Sequence, residues 1–257
     1  MNDPKFASRR DLLRLASAGA LGIGLSRAAD DSVAGMKFEA KDTVRLGVIG
    51  IGGRGDALIE NFSAIPQVRV TAICDTVKDK VIREQAKLER AGKQPPALYH
   101  SSDRAFEDLV KRDDIDLVVI ATPWIWHATM ALAGMKQGKH VAVEVPAART
   151  IEECWDLVNT SESTRRHCIQ LENCCYGYNE LLVLNMVRAG LFGGITHGAA
   201  AYNHDLRSVL FSNEGEGLWR RFENVSRNGN LYPRTGWVRW RTTWTSTAAT
   251  GSNTWYR

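Results

Sequence analysis

Between Val44 and Leu171, short apolar runs alternate with segments of helical spacing. Val44–Ile49 is a short apolar run that ends in glycine and predicts a buried strand. Residues 54–64 have helical spacing. Val68–Cys74 alternates and is rich in β-branched residues, which predicts a second strand. A charged helix is expected over 77–91, a loop at Pro95-Pro96, and another helix over 103–111. Leu117–Ala121 is apolar throughout, as in a parallel strand covered on both faces. A helix over 126–137, a strand over His140–Glu144, a helix over 151–163 and a last strand over Cys168–Leu171 complete the series. Strand–helix alternation of this kind predicts an α/β domain with a doubly wound parallel sheet over 44–172. From residue 173 the pattern changes. Glu180–Gly190 reads as a helix with a glycine stop, and Ile195–Tyr202 as a strand that begins a different sheet. An incomplete α+β domain is therefore expected over 173–233.

The turn after the first strand is Gly50-Ile51-Gly52-Gly53-Arg54-Gly55. A G-x-G-x-x-G string alone is weak evidence, but this one follows a strand, opens a helix and has Asp75 at the end of the next strand. Gly50 permits the tight turn, Gly52 lets a pyrophosphate approach the backbone, and Gly55 lets helix and strand pack closely. The helix N-terminus supplies free amides and positive dipole for phosphate. Asp75 can accept hydrogen bonds from ribose hydroxyls and would repel a 2′-phosphate, so the expected cofactor is NAD rather than NADP. Ligands of such sheets lie beyond the carboxyl ends of the strands. Thr122-Pro123-Trp124-Ile125-Trp126-His127 and Glu144-Val145-Pro146 fall there too. As residues alone, the tryptophans could serve packing and His127 could be a capped surface histidine.

Composition narrows the picture a little. The chain has 257 residues, of which 44% are hydrophobic and 24% charged, with a formal net charge of +4. That excess is small and gives no case for a nucleic acid. The five cysteines, Cys74, Cys154, Cys168, Cys174 and Cys175, are odd in number and lack repeated spacing, so neither a disulfide framework nor a metal site is expected. At the start, Ser8-Arg9-Arg10-Asp11-Leu12-Leu13-Arg14 precedes the apolar run Leu15–Leu25, and Ser26-Arg27-Ala28 places small residues at a cleavage site. Residues 1–29 read as a twin-arginine signal peptide, with an uncleaved amphipathic helix as the alternative. Export to the periplasm or beyond is expected, with no stable membrane insertion after cleavage. Residues 30–43 read as a linker.

Taken together, Gly52-Gly53-Arg54-Gly55, Trp124-Ile125-Trp126-His127, Glu144-Val145-Pro146, Glu172-Asn173-Cys174-Cys175-Tyr176 and Tyr202-Asn203-His204-Asp205-Leu206-Arg207 resemble the Gfo/Idh/MocA oxidoreductase superfamily. More narrowly, they are similar to glycosyl hydrolase family 109, the NAD-dependent α-N-acetylgalactosaminidases. The resemblance runs from about residue 44 to Pro233. It implies a hydrolysis in which NAD oxidises the sugar 3-hydroxyl, the acidified C2 proton is lost with the C1 substituent, water adds, and the hydride returns. It further implies that Gly53, Arg54, Asp75, Trp124, Ile125, Trp126, His127, Glu144, Val145 and Asn173 contact NAD. By the same resemblance Tyr202, Arg220 and Tyr232 contact the sugar, Tyr232 being catalytic. The implied substrate is a glycan with a terminal amino sugar, and a homo-oligomer is implied for full-length members. Typical sugar dehydrogenases of the superfamily carry a relay lysine in Glu-Lys-Pro, where this chain has Val145. That departure favours the glycosidase branch. A sugar or cyclitol dehydrogenase and a non-catalytic NAD-binding fragment are the alternatives. Glu223, Arg227 and Asn228 read as solvated loop residues.

Residues 234–257 differ from everything before them. They hold Trp237, Trp240, Trp244 and Trp255, many threonines and arginines, and no Asp, Glu, Leu or Ile. One reading is a threonine-rich edge strand and tail. The reading adopted is a frameshift after codon 233. Codons for residues 234–244 can be chosen so that one restored adenine turns them into Thr-His-Gly-Leu-Gly-Pro-Val-Ala-Asn-Tyr-Met, the continuation that the resemblance implies. The fixed tryptophan codon constrains that match. On this reading the tail is aberrant and disordered, the family histidine is missing, and the chain is inactive.

Overall fold

The computed structural model describes residues 33, 36–172, 176–197 and 205–227. Among these residues six parallel strands form one sheet in the order β3-β2-β1-β4-β5-β6. β1 is Val44–Ile49, β2 Val68–Cys74, β3 Ala97–Tyr99, β4 Leu117–Ile120, β5 His140–Val143 and β6 Cys168–Gln170. Five helices connect them: α1 Gly53–Ser63, α2 Lys78–Arg90, α3 Phe106–Val110, α4 His127–Lys136 and α5 Ile151–Thr164. The strand order reverses between β1 and β4, both of which pair with each other. A crevice opens at the carboxyl ends of the strands at such a switch point.

The apolar runs account for this architecture. Leu46, Val48, Val119 and Ala142 point to one face, where they meet Leu58 and Ile59 of α1 and Val81 and Leu88 of α2. Ile49, Val118, Ile120, Val141 and Val143 point to the other, against Phe106 and Leu109 of α3, Met130 and Met135 of α4, and Leu157 of α5. Two apolar faces demand two layers of helix, because each buried side chain contributes about 1.5–3 kcal/mol only when it is fully covered. α5 starts where the Thr150 hydroxyl accepts from the Glu153 amide at 3.1 Å, while the Glu153 carboxylate accepts from the Arg149 amide at 2.6 Å. These bonds satisfy amides that a helix start leaves open.

Most predicted elements lie within two residues of their observed bounds. The 103–111 helix shrinks to α3, because residues 103–105 form turns instead. β3 follows Pro95-Pro96, where the sequence shows only a loop; three residues are too few to display alternation. The linker segment 36–43 has no regular structure but is anchored twice. The Phe38 ring meets those of His140 and His167 edge-on at 4.4 and 4.7 Å. Arg45, followed by Lys41, holds the Asp116 carboxylate well below its ordinary range.

Beyond β6 the described residues form three helices: α6 Tyr178–Arg188, α7 Arg207–Leu210 and α8 Glu216–Ser226. α6 ends as expected, with Gly190 at φ 74°. Ile195–His197, the described part of the expected strand, has no regular structure. The rest of that strand, the signal-peptide segment and the 234–257 tail lie outside the described residues, as do Cys174 and Cys175. No described helix is long and apolar enough to cross a membrane.

Candidate functional site

The β1–α1 turn is built as the glycines require. Gly50 adopts φ 91°, and a Cβ there would lie 2.6 Å from the Ala121 carbonyl oxygen. A Cβ on Gly55 would overlap the Gly50 carbonyl oxygen outright. A Cβ on Gly52 would meet nothing within 4 Å, so the missing side chain leaves open space above the turn. Gly52 caps α1 with no side-chain acceptor. The first amides of α1 thus face that space with positive dipole, as phosphate binding requires. The cradle fits a dinucleotide pyrophosphate.

Asp75 follows β2 and faces the same turn. Its Oδ2 accepts from the Ile51 amide at 2.7 Å and its Oδ1 from the Val77 amide at 2.9 Å. Two amide donors fix the carboxylate where an adenosine ribose would lie.

A cavity of about 630 Å³ runs from Asp75 across the glycine turn to the ends of β4 and β5. Gly50, Gly52, Gly53 and Arg54 line its floor, and Trp124, Trp126, Glu144 and Val145 line its far end. Arg54 Nε donates to Glu144 Oε1 at 2.6 Å and so joins α1 to the β5 end. Gly55 lies beneath the turn, as a packing glycine should. Ile125 does not join the cavity. It is the middle residue of a single 3₁₀ turn, Trp124–Trp126, whose threefold repeat sends it outward to 49% exposure.

His127 lines the cavity but is neither a surface histidine nor free to bind a ligand through its ring nitrogens. It is 1% exposed. Nδ1 lies 2.8 Å from the Pro146 carbonyl oxygen and Nε2 2.8 Å from that of Thr122. The ring therefore ties the β4 loop to the β5 loop. Burial holds it below the ordinary histidine range, although both carbonyls favour the charged ring.

The roof comes from α8. Trp219 packs edge-on against Trp124 with centroids 4.9 Å apart. The Arg220 guanidinium lies 4.5 Å from the Trp219 ring and 5.4 Å from the Trp124 ring, and its Nε donates to Glu216 Oε2 at 2.9 Å. Arg220 is thus brought to the far end of the cavity. Arg227 follows α8 outside the helix with its side chain partly solvated, but Glu223 is not a solvated loop residue: it lies on α8 and is 4% exposed. Its Oε1 accepts from Arg149 Nη1 at 3.0 Å, while Arg227 Nη1 lies 3.5 Å from Oε2. The Glu216/Arg220 and Glu223/Arg227 spacings were the available signal, since residues four apart are helix neighbours. Lys80 and Arg83 of α2 also line the cavity, though nothing in the helical pattern of 77–91 singles them out. Asn173, Tyr202, Asn228 and Tyr232 lie outside the described residues.

Residues 44–171 match the model of the oxidoreductase family with an NAD-binding Rossmann fold, and residues 176–239 match that of the glycosyl hydrolase 109 C-terminal domain. A glycosyl hydrolase family 109 protein of Solibacter usitatus (strain Ellin6076) is 70% identical over 233 residues, covering 89% of this chain and 53% of that protein. Another, of Saccharopolyspora erythraea, is 48% identical over 243 residues, with the same coverages of 89% and 53%. The chain thus spans about half the length of the curated relatives it matches. Among solved structures, apo scyllo-inositol dehydrogenase from Lactobacillus casei superposes with a TM-score of 0.55 at 21% identity, covering 62% of this chain and 45% of that one. The WlbA dehydrogenase from Bordetella pertussis, solved with NADH and UDP-GlcNAcA, gives 0.52 at 22% identity over 61% of this chain and 42% of that one. Those two show the fold alone. NAD is the cofactor of this Rossmann fold, and the chain belongs to the Gfo/Idh/MocA oxidoreductases, in their glycosyl hydrolase 109 branch.

Proposed function

We propose that the protein, in its full family length, is an NAD-dependent glycoside hydrolase acting on a terminal amino sugar of the α-N-acetylgalactosamine type. The observation that carries this reading is one cavity joining a dinucleotide cradle to an aromatic and charged end. That end is roofed by Trp219 and Arg220, in the segment matching the glycosyl hydrolase 109 C-terminal domain. When bound, NAD supplies reversible hydride acceptance at the sugar C3. Asp75 would hold the ribose, the Gly50–Gly53 turn and the first amides of α1 the pyrophosphate, and Trp124, Glu144 and Val145 the nicotinamide end. Asn173 and Tyr202 join these sets by resemblance, as does Tyr232 in the catalytic role. Arg220, braced by Glu216 and two indoles, presents a fixed cation to sugar oxygens. Where a dehydrogenase of this superfamily has a relay lysine, Val145 offers only hydrocarbon, which disfavours net dehydrogenation.

Incubation with an aryl α-N-acetylgalactosaminide tests the reading. Aglycone release without accumulation of reduced nicotinamide supports it. Accumulating NADH points to a sugar or cyclitol dehydrogenase, and NAD binding with neither product points to a non-catalytic module. The composition of residues 234–257 supports a change of reading frame after codon 233. We therefore expect turnover from a frame-restored gene and none from this chain; cleavage by the 257-residue chain would refute that. Export by the twin-arginine route rests on Arg9-Arg10 ahead of a short apolar run. A reporter fused after Ala29 should leave the cytoplasm, and replacing both arginines by lysine should stop it, since lysine keeps the charge without the planar fork. Unchanged export of the double variant refutes that route.

A further inference from the structure

The adenosine end of the cavity holds two cations as well as Asp75. Lys80 and Arg83 lie three residues apart on α2 and so share one face. Both line the cavity together with Asp75, Ser102 and Asp103. Lys80 Nζ lies 3.8 Å from Asp75 Oδ2, a Coulombic distance rather than a hydrogen bond. Asp75 cannot swing aside, because the Ile51 and Val77 amides hold both its oxygens. A 2′-phosphate entering the ribose site must therefore sit beside that carboxylate. In such folds an acid at this position binds the ribose hydroxyls, while a nearby cation accommodates a 2′-phosphate. Here the two kinds of group stand side by side. Lys80 and Arg83 balance the charges of Asp75 and Asp103.

We infer that Lys80, seconded by Arg83, is a specificity-determining residue that works against Asp75 and makes the site tolerant of 2′-phosphorylated dinucleotides. This rests on the reading that the cleft holds NAD with its adenosine at Asp75. Among the described residues Lys80 is held near Asp75 by charge alone. Its ammonium is free to turn from Asp75 to the phosphate, because its side chain makes no hydrogen bond among the described residues. Lys80 is partly solvated and Arg83 is exposed, so water and salt weaken the effect to a modest factor.

The test is titration of the cofactor-stripped chain with NAD and NADP. 5′-AMP and adenosine 2′,5′-bisphosphate serve as nicotinamide-free probes. Lys80→Met should weaken NADP and the bisphosphate about three- to tenfold while NAD and AMP stay within about twofold. Lys80→Arg should preserve the wild-type ratio, and Arg83→Met should shift it in the same direction as Lys80→Met, but less. Added salt should erode the difference. If Lys80→Met changes all four affinities equally, or none, with NAD binding intact, the assignment is wrong. Should Lys80→Met fail to fold, an Arg83→Met ratio indistinguishable from wild type overturns it just as well. If the unmutated chain binds neither NAD nor AMP, the cleft reading itself falls, and this inference with it.

Discussion

Gly55→Ala probes whether the β1–α1 turn is as tightly wedged as its geometry indicates. The added methyl would overlap the Gly50 carbonyl oxygen and lie 2.9 Å from its carbon, where about 3.5–4.0 Å is needed. Neither wall is a side chain that can rotate away. Gly50 cannot retreat: its own Cα faces the Ala121 carbonyl, and its amide donates to the Cys74 carbonyl at 2.8 Å. The remaining route is to lift α1 from the sheet by about an ångström or more, loosening Leu58 and Ile59, which are buried beneath it. Overpacking typically costs about 1–3 kcal/mol, and a backbone-on-backbone clash belongs at the upper end. For a domain of this size about 3 kcal/mol lowers the melting temperature by roughly 6–12 °C. The lifted helix also misplaces its phosphate-facing amides, so NAD affinity should fall by about a hundredfold. Gly52→Ala is the control. Its φ of −79° suits alanine, and its methyl meets only open space. It should leave stability within about 0.5 kcal/mol and still weaken NAD. Thermal unfolding and isothermal titration of both variants decide the matter. A Gly55→Ala protein that melts and binds like the wild type, or a Gly52→Ala protein that loses stability instead of affinity, would refute the reasoning.

Three further outcomes are expected. Asp75→Ala should cost about 1.5–3 kcal/mol of NAD binding and narrow the gap to NADP, as read by titration with both; an unchanged ratio would remove Asp75 from the ribose site. Burial first, and then the neighbouring Asp56 carboxylate, push Glu84 up to about 7, with Lys87 pulling the other way. A carboxyl whose folded value is raised stabilises the fold below its ordinary value near 4.5, and that stability is lost as pH rises toward 7. Denaturant unfolding at pH 5 and pH 8 should accordingly show a smaller difference for Glu84→Gln than for the wild type. Glu223→Ala should cost about 2 kcal/mol by stranding Arg149, the partly solvated Arg227 adding little; denaturant melts that match the wild type would show the ion pair to be idle.

The local parts of the site were legible in the sequence because local requirements dictate them. A turn that forces φ to 91° and brings helix backbone against strand backbone admits only glycine, so Gly50 and Gly55 announced the cradle. Continuous apolar runs announced parallel strands buried on both faces, and Asp75 at the end of one announced a carboxylate facing the glycine turn. What the sequence did not determine depends on side chains far apart in the chain. Ile125 stands inside a motif that reads as a unit, yet the 3₁₀ turn aims it at solvent. His127 reads from its residues alone as a surface histidine, yet the meeting of the β4 and β5 loops buries it and engages both its nitrogens with carbonyls. Glu223 carries every mark of a surface residue, and only the docking of α8 beside Arg149, 74 positions earlier, makes it a buried partner. Lys80 is one of several charges on an ordinary amphipathic helix until α2 lies alongside β2 and sets it near Asp75. Periodicity reports which face of an element is apolar, whereas the partner each polar group finds is set by how those faces pack.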